Sequence, residues 1–455
     1  MLRPKIIQKY NVPVPRYTSY PTANNFGTYT NDEYLKAVEQ SNSAQSNQLS
    51  FYFHIPFCRH LCHYCGCNSF AMGSPETVDE YVKALHKEID IMLPLINKGR
   101  KISQIHYGGG SPTAISVKYI RELNEHLLSA FDTIDHPEIA IECHPGYLTR
   151  EDWTMLAESG FTRFSIGIQD FNRQVLKTVN RRASLINEEE IFDILRGKGA
   201  RINLDFIYGL PVQTIQSFAD TINHAIQLRP DRMVTFSYAH VPWVNKRQMI
   251  LEKAGLPDRD EKMGMFDRAS SMLKEAGYRS VGMDHFVLPD DELNKALECH
   301  QLHRNFQGYC PRRITAQVYA FGISGISQLE TAYAQNTKDI KQYIESMSRG
   351  KLCISKGYTL DRQQQITREV IESMMCNYRI DWRALAERLH ITVDEAKSAT
   401  AYNEVKLREM ADDSLITFDN NMIEMTDTGT PFVRNVAASL DRMMDDSKLR
   451  FSKPI

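Results

Sequence analysis

Six short apolar runs, each followed by a longer amphipathic segment, constrain the fold of this chain more than any other feature. They lie between residues 49 and 242 and read LSFYFHIPF, ISQIHYGGG, EIAIECHP, RFSIGIQDF, INLDFIYGLP and MVTFSYAHVP. Segments between them, such as IRELNEHLLSAF, repeat apolar residues at the spacing of a helix lying on a sheet. Six βα units in series predict an α/β fold with a partial parallel (β/α)6 TIM-like barrel.

Chemically unusual residues follow each of these runs. Cysteines follow the first run and three glycines the second, whereas the later runs end near Glu142, Gln169, Asp205 and Ala239. In barrels of this type the active site lies at the carboxyl ends of the strands. The sequence therefore predicts one site along this rim.

The pattern changes after about residue 355. Ile366, Val370 and Met374 are spaced four apart, as on one helix face, and a helix, a hairpin (LITFDNNMIEM) and a further helix follow. This order is winged-helix-like. We predict an N-terminal arm at 1–45, a catalytic barrel with its extension at 46–354, and a helical C-terminal domain at 355–455. DNA binding is an alternative for the last domain, although it has no basic recognition helix.

Charge and hydropathy exclude several classes of protein. The chain has 54 Lys and Arg against 56 Asp and Glu, a net charge of -2, so no global basic field attracts nucleic acid or membrane. The N-terminus has no apolar signal-like segment, and no run of about 18 apolar residues could span a bilayer. We expect a soluble, cytoplasmic protein without nucleic-acid or membrane partners.

Three cysteines, Cys58, Cys62 and Cys65, form the pattern Cys-x3-Cys-x2-Cys. Three thiolates on a short loop can each bind one iron of a [4Fe-4S] cluster and leave the fourth iron open to S-adenosylmethionine. The alternative is a structural zinc site completed by a histidine of the same loop. A fourth cysteine, Cys67, could be a ligand, a hydrogen donor near a substrate or a small core residue, and spacing does not decide between these.

Three glycines and a serine, Gly108 to Ser111, follow the second apolar run. Glycines at this place let backbone amides and carbonyls approach a ligand without an obstructing Cβ. A tight turn is the alternative. Next to a cluster-bearing first strand, contact with a methionine group is the better interpretation.

Long motifs in a fixed order carry a family resemblance along nearly the whole chain. They are KYNVPVPRYTSYPTA, YFHIPFCRHLCHYCGCN, GGGSPT, SIGIQDFN, DFIYGLP, YAHVP, GMDHF, HRNFQGY, YAQN and CNYRIDW. The cysteine motif resembles the radical S-adenosylmethionine superfamily. Within it, the chain is similar to the oxygen-independent coproporphyrinogen III oxidases.

The resemblance implies an activity and its cofactors. Two propionates of coproporphyrinogen III would be decarboxylated to vinyls, giving protoporphyrinogen IX, after a 5'-deoxyadenosyl radical removes a hydrogen beside each lost carboxylate. One [4Fe-4S] cluster and two S-adenosylmethionine molecules are implied, together with an electron donor such as flavodoxin or ferredoxin. The resemblance also favours a monomer, and it implies that the arm around RYTSYPT folds over the substrate.

The resemblance further implies roles for individual residues. The cluster ligands would be Cys58, Cys62 and Cys65, and Cys67 would be catalytic. The cluster-bound S-adenosylmethionine would contact Tyr52, Gly109, Glu142 and Ile326. The second molecule would contact Tyr64, Gly110, Ser111, Gln169, Arg181, Asp205 and Ala239.

Two departures from the family pattern concern substrate placement. His144 replaces an acid two residues after Glu142, and the segment from Cys310 to Gly322 is unlike that of other members. Within that segment Arg312 and Arg313 could bind propionates, because a substrate with four carboxylates needs guanidinium partners. A solvated basic turn is the alternative.

Two other functions remain open from the sequence. A radical methyltransferase or ring-opening enzyme acting on heme would release methylated or cleaved tetrapyrrole. A heme-binding chaperone would bind heme stoichiometrically without turnover. The fourth cysteine, the long N-terminal arm and the motif CNYRIDW favour the oxidase.

Overall fold

The computed structural model describes residues 4–44, 46–243, 245–444 and 451. The outermost parts of the predicted arm and C-terminal domain, residues 1–3, 45, 445–450 and 452–455, lie outside the described residues. None of the described helices is both long and apolar enough to cross a membrane.

The described residues contain strands in four sheets, of which one is large. The strands are β1 Gly27–Thr28, β2 Gln48–Ile55, β3 Phe57–Cys58, β4 Phe70–Ala71, β5 Lys101–Gly109, β6 Thr133–Cys143, β7 Arg163–Gln169, β8 Arg201–Tyr208, β9 Arg232–Ser237, β10 Arg279–Val281, β11 His285–Val287, β12 Leu302–Asn305, β13 Gly308–Pro311, β14 Gln317–Phe321, β15 Ile326–Gln328, β16 Ala332–Asn336, β17 Ile354–Thr359, β18 Arg379–Asp381, β19 Ile416–Phe418 and β20 Met422–Met425. The large sheet has the order β1-β17-β16-β15-β14-β2-β5-β6-β7-β8-β9-β11-β10.

Seven neighbouring strands of this sheet are parallel, from β14 through β2, β5, β6, β7 and β8 to β9. The six predicted apolar runs coincide with β2, β5, β6, β7, β8 and β9, so the prediction of a partial parallel barrel is confirmed. The seventh strand, β14, comes from the segment that is unlike other family members. Antiparallel strands extend the sheet beyond both ends of the parallel part.

Helices cover the outer face of the parallel strands. The helices are α1 Pro4–Tyr10, α2 Asn31–Ser41, α3 Pro75–Met92, α4 Val117–Leu128, α5 Arg150–Ala157, α6 Arg173–Thr178, α7 Glu188–Arg196, α8 Ile215–Leu228, α9 Met249–Lys253, α10 Arg259–Glu275, α11 Glu292–Glu298, α12 Ile340–Ser348, α13 Arg362–Asn377, α14 Trp382–Leu389, α15 Val393–Ala399, α16 Glu404–Asp412 and α17 Val433–Ser439. Local sequence sets their starts, as in α3, where the Ser74 side chain accepts from the Thr77 N–H and Pro75 occupies the first turn. Buried residues of α3, such as Val78, Val82 and Leu85, face the main core.

A second core belongs to the C-terminal part. Its helices α13 to α17 surround Trp382 and pack beside a three-stranded sheet with the order β18-β20-β19. The predicted hairpin is the β19–β20 pair. The further helix predicted after the hairpin begins as a short 3-10 turn at Thr430–Phe432 and continues as α17. The helical C-terminal part is therefore confirmed.

The N-terminal arm packs on this second core. Ile6, Tyr10, Tyr17 and Tyr20 join the same apolar cluster. The Tyr17 hydroxyl donates to an Asp441 carboxylate oxygen at 2.8 Å. Further along, β1 pairs with β17 of the large sheet. The arm therefore connects the C-terminal part to the barrel.

Candidate active site

A short parallel ladder holds the two ends of the cysteine loop together. Phe57 and Cys58 of β3 pair with Phe70 and Ala71 of β4. The Met72 N–H also donates to the Cys58 carbonyl at 2.9 Å. The loop between these strands carries the other clustered cysteines, and it lies directly after β2, at the carboxyl end of the parallel strands.

The four cysteines of the loop differ in exposure. Cys58 and Cys62 are buried, Cys65 is partly buried and Cys67 is exposed. Burial raises the pKa of the Cys58 thiol to about 12, so a bound metal would have to displace its proton. Among the described residues, no group of three or more His, Cys, Asp or Glu side chains is placed to hold a single metal ion. A [4Fe-4S] cubane differs from such a site because each of its cysteine thiolates binds a different iron.

The glycine turn packs against the start of the cysteine loop. The Gly110 N–H donates to the Ile55 carbonyl at 2.8 Å, and the Ser111 N–H donates to the Phe57 carbonyl at 3.0 Å. A Cβ on Gly110 would lie 2.6 Å from the Pro56 carbonyl oxygen. Gly109 has a φ of +116° and no room for a side chain beside His54. Side chains here would therefore push the turn away from the loop.

Tyr52 and Glu142 lie together on neighbouring parts of the rim. A Cβ on Gly108 would meet both, at 3.2 Å from a ring carbon of Tyr52 and 2.8 Å from Glu142 Oε1. His106 joins them, with its ring stacked on Tyr52 and Nε2 at 3.1 Å from Glu142 Oε1. The Glu142 side chain is 45% exposed. Its carboxylate therefore has room to accept hydrogen bonds from a ligand.

Arg181 connects the cysteine loop to β7. Its Nη1 donates to the Tyr64 hydroxyl at 3.1 Å and lies 3.6 Å from Cys62 Sγ, and its Nη2 donates to the Gly167 carbonyl. Gln169 is close by, because a Cβ on Gly167 would lie 2.8 Å from both Arg181 Nη2 and Gln169 Nε2. Arg181 Nε and Gln169 Oε1 are buried without a hydrogen-bond partner. Unpaired buried polar atoms are costly, so this pair favours a polar ligand.

Asp205 lies on β8 beside a serine of β7. Its carboxylate accepts from the Ser165 hydroxyl at 2.8 Å and from Asn203 Nδ2 at 2.9 Å. Burial raises the pKa of Asp205 to about 6, and the charge of Glu142 adds to the effect. The site thus holds two acids, of which one is poised to accept a proton near neutral pH.

Ala239 and Ile326 lie at the margins of this group. Ala239 is exposed just after β9, next to Tyr238, which packs in one apolar cluster with Tyr64. Ile326 begins β15, two residues after Ser324, whose hydroxyl is 3.4 Å from His54 Nε2. The structure thus places all the predicted site residues along one rim and gives direct side-chain contacts to some of them.

His144 is a buried, neutral side chain. Its ring stacks on Tyr147 with centroids 3.8 Å apart, and its Nδ1 accepts from the Gly146 N–H at 3.1 Å. Burial, followed by the nearby charge of Arg181, lowers the pKa of His144 to about 2. The replacement of an acid therefore removes a negative charge from the neighbourhood of Arg181.

Arg312 and Arg313 already have carboxylate partners. Arg312 Nη2 lies 3.2 Å from Glu369 and 3.3 Å from Glu372, both on α13. Arg313 pairs with Glu292 at 2.5 Å on the surface. Arg312 is therefore not free for a propionate and instead joins the barrel extension to the C-terminal part, whereas Arg313 forms an exposed pair on the surface.

Side-chain amides that follow β9 hold the cysteine loop, and no sequence motif predicts them. Asn245 Nδ2 donates to the Cys65 carbonyl at 2.6 Å, and Gln248 Nε2 donates to the Tyr64 carbonyl at 2.9 Å. From the other side, Asn180 Nδ2 donates to the Leu61 carbonyl at 2.9 Å. These amides match no motif of metal or cofactor binding. Their position after the ends of strands was the one available indication.

The residues present fit a [4Fe-4S] cluster with S-adenosylmethionine. Three thiols lie on a loop whose ends and carbonyls are fixed, and a glycine turn lies against it. Buried Arg181 Nε and Gln169 Oε1 have no protein partner on the same side. A methionine group presents a carboxylate and an ammonium, which suit these guanidinium and amide atoms.

Comparisons with known proteins agree with this geometry. The Radical SAM superfamily matches residues 52–225, from β2 into α8. An oxygen-independent coproporphyrinogen III oxidase of Escherichia coli is 38% identical over 443 residues, 96% of this chain and 94% of the relative. The chain belongs to this family. A family member from Synechocystis is 34% identical over 455 residues, 99% of this chain and 97% of the relative.

A solved structure extends the family match to the whole fold. The coproporphyrinogen III oxidase HemN from Escherichia coli, a radical SAM enzyme, superposes with a TM-score of 0.84 at 35% identity, covering 94% of this chain and 97% of that one. As a radical SAM protein, the family member described here is an oxidoreductase that uses a [4Fe-4S] cluster and S-adenosylmethionine.

Proposed function

We propose that this chain converts coproporphyrinogen III to protoporphyrinogen IX without oxygen, by oxidative decarboxylation of two propionates to vinyls in heme biosynthesis. The observation that carries the proposal is the fixed cysteine loop beside Arg181, in a chain that aligns with family members over its full length. Cys58, Cys62 and Cys65 would hold the cluster, which would supply the reductive cleavage of S-adenosylmethionine needed to abstract hydrogen from a propionate side chain.

The roles of the rim residues follow from what they contact. Tyr52, Gly109, Glu142 and Ile326 would hold the cluster-bound S-adenosylmethionine. Glu142 is suited to ribose hydroxyls or an ammonium, because its carboxylate is half exposed. Gly109 supports this role, because its missing side chain leaves the backbone open.

A second S-adenosylmethionine would lie beside Arg181 and Gln169. Its contacts would be Tyr64, Gly110, Ser111, Gln169, Arg181, Asp205 and Ala239. Arg181 is suited to the methionine carboxylate, and its unpartnered Nε supports this assignment. Asp205 is suited to a ribose hydroxyl or to the sulfonium charge. A count of S-adenosylmethionine bound per chain, by equilibrium dialysis of the cluster-loaded protein, tests the stoichiometry.

Cys67 would act on the substrate and not on the cluster. Its exposure supports this role, since Cys58 and Cys62 are buried. We expect Cys67→Ser to keep the iron content and the visible absorbance of the cluster but to lose decarboxylation. If Cys67→Ser retains full turnover, the catalytic role of this cysteine is wrong.

The wider organisation is also proposed. The chain would act as a monomer in the cytoplasm, and a small electron donor such as flavodoxin or ferredoxin would reduce the cluster. We also propose the division into an arm at 1–45, a barrel with extension at 46–354 and a helical domain at 355–455. β17 pairs with β16 and α13 begins at Arg362, which supports a start of the helical domain a few residues after 355.

One reaction tests the function as a whole. The protein is reconstituted with iron and sulfide under nitrogen, then given reductant, S-adenosylmethionine and coproporphyrinogen III. Loss of two carbon dioxide units by mass, with 5'-deoxyadenosine formed, is the expected result. Formation of 5'-deoxyadenosine without decarboxylation would favour the alternative in which the enzyme acts on heme. Stoichiometric heme binding without any cluster would favour a chaperone and contradict the proposal.

A further inference from the structure

A cavity lies between the N-terminal arm and the face of α13. Residues 17–20 of the arm form one wall, and Arg304 of β12 and Arg368 of α13 line the others. The enclosed space in it has room for about one water-sized group. The cavity therefore suits at most a single charged head group, such as a carboxylate, and not a whole tetrapyrrole.

The two arginines of the cavity lack a carboxylate partner. Within the described part of the chain, neither forms an ion pair. Arg304 donates from Nη1 to the Tyr309 hydroxyl at 3.2 Å, and its Nε is buried without a partner. Arg368 donates to the backbone carbonyls of Leu329 and Glu330 at 3.2 and 2.8 Å. Both side chains are partly buried. Charges withdrawn from water are normally paired, so two guanidiniums without an ion pair in one cavity favour an anion.

One acid also lines the cavity, but it is already neutralised. Glu372 contacts both Arg312, at 3.3 Å, and His303. Its neighbour Glu369 is paired with Arg312 and Arg388 at 3.2 and 3.1 Å. The charge of Asp284 also acts on Arg304, so four guanidinium groups, counting the two in the cavity, face three acids here. The local charge favours a carboxylate ligand.

The first connection between the cavity and the rim runs along β15. Gln328 lines the cavity, and Ile326 is a predicted contact of S-adenosylmethionine. Residues two apart on a strand face the same side and are about 7 Å apart. A ligand that reaches from the rim into the cavity therefore spans a short distance.

The second connection runs across neighbouring strands. Asp205 of β8 and His285 of β11 are both register partners of Val234 on β9, so they share one face about 10 Å apart. The His285 ring meets the Tyr309 ring edge-on, with centroids 5.1 Å apart, and Tyr309 accepts from Arg304. Tyr309 and His285 thus lie between Arg304 of the cavity and the strands that carry Asp205 and Val234.

We propose that Arg304 and Arg368 bind a propionate carboxylate of the tetrapyrrole in this cavity. The inference rests on the proposed function, which supplies a substrate with four carboxylates. Guanidinium groups pair with carboxylates in two-pronged geometry, which orients as well as binds. Since Arg368 lies on α13, the substrate would join the C-terminal part to the barrel beneath the arm. Arg312 and Arg313, already paired, have no part in this.

A binding experiment on the cluster-free full chain tests the site without turnover. Coproporphyrin III is titrated by fluorescence into the wild type, Arg304→Gln, Arg368→Gln and the control Arg313→Gln. We expect roughly tenfold to a hundredfold weaker binding for the first two variants and no change for the control. The tetramethyl ester of coproporphyrin should bind all four proteins alike. Unchanged affinity of Arg304→Gln for the acid, or an equal loss with the ester, would overturn the proposal.

If Arg368→Gln fails to fold, Arg304→Gln alone tests the carboxylate site. Arg304 is the safer position to change, because it donates to a side-chain hydroxyl and not to the backbone. A turnover assay then separates the two proposals. In the cluster-loaded enzyme, Arg304→Gln should raise the KM for coproporphyrinogen III and leave the KM for S-adenosylmethionine unchanged. If the wild type does not decarboxylate, the proposed function is wrong. If the wild type does and Arg304→Gln has an unchanged KM, the carboxylate site is wrong.

Discussion

Buried charged side chains are paired with each other at the amino ends of the parallel strands but not at their carboxyl ends. Near the amino ends, Glu138 of β6 lies 2.9 Å from Arg163 of β7 and 3.7 Å from Arg232 of β9, and Asp291 lies 2.9 Å from Arg232. Burial alone would raise the pKa of Glu138, but the two arginines outweigh it and lower the pKa to about 2. The acids and bases at this end hold each other in their charged forms.

At the carboxyl ends the charged groups are kept apart. Arg181 contacts a thiol, a hydroxyl and a carbonyl, and Asp205 accepts from a hydroxyl and an amide. Burial raises the pKa of Asp205 to about 6, the opposite direction from Glu138. In a barrel the amino end serves stability and the carboxyl end serves chemistry. The unpaired charged groups of the chain therefore lie where ligands are expected.

The largest expected effect comes from removing one thiol at the carboxyl end. We expect Cys62→Ala to abolish the cluster and with it all cleavage of S-adenosylmethionine, because two remaining thiolates leave a second iron without a protein ligand. Iron and sulfide content, visible absorbance and 5'-deoxyadenosine formation measure the effect. Thermal unfolding of the cluster-free protein should change little, since this end contributes less to stability.

Cys299→Ala is the matched control, because Cys299 is an exposed thiol outside the loop. It should keep the full iron content and turnover. A Cys62→Ala protein that retains a complete, active cluster would refute the assignment of this loop.

At the amino end the expected effect is on stability. Glu138→Gln leaves two buried arginines with less counter-charge and should cost about 3–5 kcal/mol. The shift of the urea midpoint of the cluster-free protein measures it. Because the folded pKa of Glu138 is below its ordinary value of 4.5, the stabilisation is present above pH 4.5. It is lost as the pH falls toward 2, and the difference between the proteins should shrink there.

The exposed pair of Glu125 and Arg121 on α4 supplies the control for this change. Glu125→Gln should leave the urea midpoint nearly unchanged, because exposed ion pairs contribute little to stability. S-adenosylmethionine cleavage per folded molecule should be the same in Glu138→Gln as in the wild type. A large loss of cleavage without a loss of stability would remove the distinction between the two ends.

Much of the fold could be predicted from the sequence, because the parallel strands are short apolar runs between amphipathic helices. β14 was missed, because its residues, Gln317–Phe321, follow a helical turn and not a long helix, and nothing local marks them as parallel to β2. The short antiparallel strands were also not predicted. Three-residue strands such as β15 depend on their partners more than on their own sequence.

The candidate site was less predictable than the fold. Cysteine spacing and glycines are local signals, so the loop and the turn were expected. Asn245 and Gln248 carry no such signal, since an amide becomes a clamp only when the fold brings a carbonyl to it. Arg312 is the opposite case. Its basic motif indicated a ligand site, but in the fold it pairs with two glutamates.

Replacing Asp205 should have the weakest effect on stability, and that effect should depend on pH. The folded pKa of Asp205, about 6, is above its ordinary value of 3.8, so charging this group costs stability as the pH rises between these values. Asp205→Asn removes that cost while the amide can still accept from Asn203 and donate to Ser165. At pH 7 we therefore expect Asp205→Asn to be more stable than the wild type, by at most about 3 kcal/mol, and the difference to vanish toward pH 4. Urea midpoints at several pH values measure it.

Loss of function should accompany this gain of stability. Asp205→Asn should bind less S-adenosylmethionine per chain than the wild type, because the variant has lost the charge proposed for the second molecule. Glu138→Gln should show the opposite combination, with lower stability and unchanged binding. If Asp205→Asn is less stable than the wild type at pH 7, the buried carboxylate is supporting the fold. The carboxyl end would then resemble the amino end, and its unpaired groups would no longer indicate where a ligand binds.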